Sequence, residues 1–188
     1  FKLGLVPFHM WIPDVYHGAA TPTTLFIGAA PKIAAFAFVI RLLAQALGGM
    51  GADWQMMLAI LAAGSIVLGN VVAIAQTNLK RMLAYSSVAQ IGYITLGLGL
   101  ANGPALTGSL AYFVNHGVTK CALFLLAGGI ALRCGGTSIA GLSGLARRMP
   151  WTAFGFVVAG LSLVGVPGTA GFTSKWFLVE GALENGQT

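Results

Sequence analysis

Apolar residues run along this chain in long blocks, and polar positions gather at the joints between them. A helix needs about 20 predominantly apolar residues to cross a bilayer. On that scale the pattern predicts one partial segment and five spans. Residues 1–12 read as the tail of a helix that Pro7 and Pro13 break or end. Residues 22–48 read as a span interrupted by Pro31, and residues 54–76 as the cleanest span. Residues 81–101 follow after a very short turn at Thr77-Asn78, and residues 104–133 form a long span opened by Pro104. The last span, 151–184, is cut in the middle by GVPGTAG (165–171). Glycine and proline in mid-span free backbone groups that lipid cannot satisfy, so such breaks face protein or water-filled cavities. The alternative is a continuous helix with a kink and no function.

Composition sharpens this picture. The chain is 57% apolar and 7% charged, with a mean hydropathy of +0.85, whereas a soluble domain carries about 25% charged residues. The expectation is an all-α, polytopic transmembrane helix bundle, with residues 1–188 as a single transmembrane domain in contact with membrane lipid. The net charge of +6 would suggest nucleic acid in a soluble protein. Here the basic residues are dispersed and several lie inside apolar runs, so no nucleic-acid partner is expected. Cys121 and Cys134 form neither a metal spacing nor a disulfide framework. The chain opens at Phe1, already in apolar sequence, and reads as an internal fragment of a longer protein.

Successive spans alternate sides. The loops after residues 12, 76 and 133 then share one side, and Lys80, Arg81, Arg133, Arg147 and Arg148 fall there. The opposite loops, around 49–53 and 102–103, hold no Lys or Arg. The positive-inside rule places the basic loops in the cytoplasm.

The chemistry lies in the cations left inside the spans. Lys32 is about ten residues into its span and Lys120 is near the middle of its own. A lysine at that depth costs about 3 kcal/mol even on the mildest insertion scale, and such residues mark a pathway or a partner. No Asp or Glu lies inside any span before Glu180. Unless carboxylates come from elsewhere, these lysines sit in hydrated cavities; the plainer alternatives are snorkelling or a structural bridge. A lysine able to lose its proton at working pH is a proton carrier. His116 and Lys120 are four apart on one helical face, and Tyr112 extends that ladder by a turn. Tyr, His and Lys in register can support a chain of waters and exchangeable protons.

Lys175 directly follows the broken stretch of the last span, as discontinuous helices line ion paths in transporters. Lys2 precedes the break at Pro7 in the same manner. Lys80 begins a span beside Arg81 and suits an interfacial anchor as well as a relay. His9, between Pro7 and Trp11, lines the first break or caps it. Ser86, Gln90 and Tyr93 form a polar stripe whose simplest role is interhelical hydrogen bonding. No phosphate-binding loop, HExxH motif or acid/base carboxylate pair occurs, so no catalytic residue, metal or cofactor is assigned.

FKLGLVPFHMWIPDVYHGAATP (1–22), APKIAAF (30–36), AQTNLKRMLAYSSVAQIGY (75–93), NHGVTKCALFLLAGG (115–129) and GVPGTAGFTSKWFLV (165–179) together resemble the antiporter-like subunits of respiratory complex I. That family also includes Mrp-type cation/proton antiporter subunits and membrane subunits of energy-converting hydrogenases. The first 93 residues resemble subunit N most, while HGVTKCALF and GFTSKWFLVEGALENG resemble subunits L and M or the D-type component of Mrp antiporters.

The resemblance implies a fold of fourteen helices in two inverted repeats. This chain would supply roughly helices seven to twelve, one repeat half with two broken helices. It implies a proton relay through Lys2, Lys32, Lys120 and Lys175, with Lys80 and His116 matching further family positions. It implies a non-redox subunit among other membrane subunits of a bacterial inner-membrane NADH:quinone oxidoreductase. NADH and quinone, flavin and iron–sulfur chemistry would then belong to other subunits. A cation/proton antiporter subunit and a purely structural packing subunit are the competing readings.

Overall fold

The computed structural model describes residues 1–184 and 186. These residues fold into helices: α1 (Trp11–Gly18), α2 (Thr21–Arg41), α3 (Gly51–Ile74), α4 (Leu79–Leu100), α5 (Gly103–Cys134), a short α6 (Leu145–Arg148), α7 (Pro150–Val164) and α8 (Ala170–Glu184). Four stretches are long and apolar enough to cross a membrane: Thr21–Arg41, Gly48–Ile74, Leu79–Leu100 and Gly103–Cys134.

The opening segment differs from the sequence expectation. Residues 1–10 form turns, and the helix begins only at Trp11. Gly4 at φ +80° leaves the helical region, which an L side chain would resist. The Val6 N–H donates to Ser65 Oγ on α3 at 2.9 Å instead of to a helical carbonyl. Pro13, expected to break a helix, is the third residue of α1, where a missing N–H costs nothing because first-turn donors have no intrahelical acceptor.

Pro31 does not interrupt its helix either. It lies inside α2, which runs unbroken to Arg41 and then widens into a π-helical turn over Leu42–Ala46. One lost backbone bond does not end a helix whose remaining carbonyls have no water to turn to.

The stretch 165–171 does break. α7 stops at Gly165 (φ +85°), and Gly168 (φ +92°) turns the chain again before α8. Glycine is what such a left-handed cap requires.

α4 is the most enclosed helix, with α3 packed along one side and α5 along another. Small residues permit the close approach, as expected where apolar lipid gives no hydrophobic reward for helix pairing. A Cβ on Gly69 would meet the Ala89 backbone at 2.7 Å, and one on Gly108 would meet the Leu178 nitrogen at 2.9 Å, locking α3 to α4 and α5 to α8.

The core is split in two. One cluster joins Phe36, Leu43, Leu58, Ile91, Ile94, Leu98 and Leu178. The other joins Ile12, Tyr16, Leu83, Val88, Leu123, Phe124 and Ile130. On α5 the residues between these clusters include His116, Thr119 and Lys120; on α4 they include Gln90; on α2 Lys32 precedes Phe36 by a turn. A polar layer therefore lies between two apolar ones.

The joints meet at the two ends of the bundle. At one end Asn78 Nδ2 donates to Thr137 Oγ1 (2.9 Å), and the Leu79 N–H donates to the Thr137 carbonyl (2.8 Å). The basic residues Lys80, Arg81 and Arg133 stand at this end. At the other, Asn102 caps α5 and donates to the Gly181 carbonyl at the end of α8.

Candidate functional site

The polar layer is built by periodicity. On α2, Thr24, Gly28, Lys32 and Phe36 recur every four residues and share one face. On α5, Tyr112, His116 and Lys120 do the same, and all three are buried. Phe36 stacks on Phe113 with centroids 4.4 Å apart, fixing the register between the two faces.

Lys120 is 6% exposed, and its ammonium is held without a carboxylate. Nζ donates to the Leu83 carbonyl (2.9 Å) and to Ser86 Oγ (2.5 Å), both on α4. Lys32 is 3% exposed. Its Nζ stands 5.6 Å from the centroid of the Tyr16 ring, within range of a cation–π contact. Tyr16, Thr24, Lys32, Ser87, His116 and Lys120 line one small cavity of about 10 Å³. A wider groove of about 610 Å³ between α2 and α5 opens over Lys32 and His116.

The stripe on α4 has specific partners. Ser86 accepts from Lys120, and its hydroxyl donates to the Leu83 carbonyl (2.9 Å). One turn on, Gln90 Oε1 accepts from the Tyr112 hydroxyl. The Tyr112 ring meets Tyr93 edge-on, with centroids 6.5 Å apart. Lys175 Nζ lies over both rings, 5.1 Å from Tyr93 and 5.6 Å from Tyr112. The same ammonium donates to the carbonyls of Leu163 (3.2 Å) and Val164 (2.9 Å). Those carbonyls end α7, where the helix dipole favours a cation. The broken helix thus supplies acceptors for the cation that follows it. Interhelical bonding is what the stripe does, and it also bridges the space between Lys120 and Lys175.

The other candidates stand apart. Lys2 is exposed beside Phe1 and Pro31 on a separate cleft of about 610 Å³. Lys80 is half-buried in the first turn of α4; its backbone N–H goes to Asn78 Oδ1. His9 is buried edge-on to Tyr85, with no hydrogen-bond partner at Nδ1. Among the described residues the only ion pair is Arg81 with Asp14, at 2.7 Å and largely exposed. None of the five lysines has a carboxylate partner among those residues. Nor do the described residues gather three or more potential metal-ligating side chains.

Sequence reasoning missed Tyr16 and Asn115. Asn115 Oδ1 accepts from Thr119 Oγ1 (3.4 Å) and Ser162 Oγ (3.3 Å), tying α5 to α7 close to the break. Its signal was present in position: it precedes His116 in a segment otherwise free of amides.

A bundle of long apolar helices with one broken helix, and with lysines buried without counter-charges, defines an integral membrane protein. The chain belongs to the NADH:quinone oxidoreductase/Mrp antiporter transmembrane family, whose pattern matches residues 1–188. It is 48% identical over 192 residues to NADH-quinone oxidoreductase subunit N of Methylovorus glucosotrophus, covering 99% of this chain and 39% of that protein. Against subunit N of Heliobacterium modesticaldum the identity is 44% over 187 residues, covering 99% of this chain and 40% of that one. The chain spans about two fifths of the length of these relatives. These matches to subunit N run through the C-terminal half as well as the first 93 residues. Among solved structures, a chain of the Mrp complex from Dietzia sp. superposes with a TM-score of 0.92 at 32% identity, covering 99% of this chain and 35% of that one. A chain of respiratory complex I from Thermus thermophilus with bound NADH gives 0.89 at 32% identity, covering 98% and 39%.

Proposed function

We propose that this chain carries part of a proton path in an antiporter-like membrane subunit of a bacterial NADH:quinone oxidoreductase. The observation that carries the reading is the polar layer itself. Lys32, His116 and Lys120 are buried between two apolar clusters and Lys175 stands half-buried beside Tyr112, with no ion pair to any of them among the described residues and with Ser86, Gln90 and Tyr112 between the last two lysines. A fixed ion pair would hold its proton; an ammonium bonded only to carbonyls, a hydroxyl and aromatic faces is free to exchange it. Lys2 and Lys80, which stand apart from the layer, are the entry or exit positions of this reading.

In the same reading residues 1–188 form one transmembrane domain, one inverted-repeat half of the fold. Residues 151–184 cross as a broken fifth span, and the basic end of the bundle faces the cytoplasm of the inner membrane. Other membrane subunits are the partners, and NADH and quinone bind elsewhere. Lys120→Ala and Lys175→Ala in the full-length parent test the proposal, read as NADH-driven proton uptake by proteoliposomes with complex assembly checked on native gels. Both variants should assemble and pump poorly. Full pumping by both would overturn it.

The likeness to a chain of the Mrp complex favours one second reading, a cation/proton antiporter subunit. Sodium-dependent proton flux in the absence of any electron donor would select it.

A further inference from the structure

We propose that the cleft where α5 ends and α7 begins binds the phosphate of an anionic phospholipid, with an acyl chain of the same lipid along the outer face of α7. The proposal goes beyond the proton path and does not depend on it. The cleft measures about 580 Å³, and Leu132, Arg133, Arg148 and Trp151 are among its lining residues. Arg133 is in the last turn of α5 and Arg148 closes α6, so two guanidinium groups from separate elements meet one cavity. The loop between them is fastened. The Thr137 carbonyl accepts from the Leu79 N–H (2.8 Å), and the Ile139 N–H donates to the Thr77 carbonyl (2.9 Å). Gly144, at φ +76°, then turns the chain into α6. The joint between α3 and α4 thus fixes where both arginines stand.

Charge decides what the cleft takes. Among the described residues neither guanidinium has a hydrogen bond or an ion pair. The chain's four carboxylates do not answer them. Asp14 is paired with Arg81, and Asp53 is in the first turn of α3, at the opposite end of the bundle. Glu180 and Glu184 flank Gly181, whose carbonyl meets Asn102 at that opposite end. Arginine presents a fork of donors that matches the oxygens of a phosphate. A lipid of net negative charge supplies that group alone. A zwitterionic lipid also brings a cation, for which the cleft has no carboxylate.

Position makes the phosphate a lipid's. Trp151 is 85% exposed at the mouth of the cleft, and tryptophan favours the headgroup level of a bilayer. Trp151, Phe154, Val158 and Leu161 recur at helical spacing on α7, and all four are exposed. At about 1.5 Å per residue this stripe runs about 15 Å, half of the roughly 30 Å of hydrocarbon in a bilayer. An acyl chain on that face begins where the arginines end.

Photoreactive phosphatidylglycerol and phosphatidylcholine, each with a diazirine in one acyl chain, test this in proteoliposomes of the full-length parent complex. Phosphatidylglycerol should label residues 151–161 about thirtyfold more than phosphatidylcholine, since each of two basic side chains near anionic lipid is worth about fivefold. Arg133→Gln with Arg148→Gln should bring the two lipids level. About 1 M salt should cut the preference in the unaltered complex, and inorganic phosphate in the millimolar range should leave it in place. The lipid comparison and the salt arm decide the matter should the double variant fail to assemble. Equal labelling by the two lipids, a preference that 1 M salt leaves intact, or one that survives the double substitution overturns the site. Displacement by inorganic phosphate also overturns it, in favour of a free anion. Absence of label on residues 151–161 overturns it in favour of a neighbouring subunit covering that face.

Discussion

The centre of the bundle and its basic end both hold cations, and they hold them differently. At the end, Arg81 meets Asp14 across exposed surface, and Lys80 rests at a helix start capped by Asn78. In the centre, Lys120 is bonded to a carbonyl and a hydroxyl, and Lys175 to two carbonyls at a broken helix end. The end uses opposite charge where water already lowers the cost. The centre uses dipoles alone, where on the proposed proton path a carboxylate would trap the proton. Charge pairing without burial suits anchoring, and burial without charge pairing suits transfer.

The largest test of this contrast is Lys120→Ala. It removes a buried cation held by a carbonyl and a hydroxyl, and proton translocation in the parent complex should drop about a hundredfold, the lower range for losing a proton-transferring group. Lys80→Ala should cost far less, and equal losses at the two would erase the distinction between centre and end.

Lys32 sharpens it. Lys32→Arg keeps the charge over the Tyr16 ring, but a guanidinium does not give up its proton at usable pH. Assembly should be normal and pumping about tenfold lower, a barrier increase of roughly 1.4 kcal/mol. Lys32→Met removes a buried charge and keeps much of the volume, so it too should assemble. Normal pumping by the arginine variant would make Lys32 a fixed charge; failed assembly of the methionine variant would make it half of a structural pair.

Tyr112→Phe should have a smaller effect. It keeps the ring under Lys175 and leaves Gln90 Oε1 without its donor. A few-fold fall in pumping is expected, about the net worth of one hydrogen bond. A loss as large as that of Lys120→Ala would show that the tyrosine itself carries the proton.

These variants also mark where sequence reading reached and where it stopped. The apolar blocks after residue 20 and the Gly-Pro cluster at 165–171 are local signals, and they appear in the structure as helices and as a break. The Tyr112–His116–Lys120 ladder is legible because a helical period of about 3.6 fixes who shares a face. Pro31 was misleading, since a proline signals a lost bond but not whether its surroundings tolerate the loss. Residues 1–10 misled for the opposite reason: apolar composition says nothing of a backbone that Gly4 and Ser65 hold in turns. Tyr16 was invisible, because its contacts are with Lys32 on the next helix and with Phe124 on the distant α5, and only packing brings them to it.

The smallest effect is expected at the basic end, and it tests the contrast from the other side. Arg81 Nη2 and Asp14 Oδ1 are 2.7 Å apart, with side chains 41% and 73% exposed. Water and salt screen a pair of that kind, and measured values for exposed pairs run from about 0.2 to 1 kcal/mol. Arg81→Met keeps the apolar stem packed on the first turn of α4 and deletes only the guanidinium. Asp14→Asn deletes the partner charge with little change of shape. Each should lower the thermal stability of the complex slightly, the double variant should cost no more than either alone, and the difference should shrink at about 1 M salt, where the screening length falls to about 3 Å. Pumping should stay near wild type in all three. If Arg81→Met instead stops pumping as Lys120→Ala is expected to, the path continues through the exposed end, and an ion pair at its mouth, not the neutral layer inside, sets the rate.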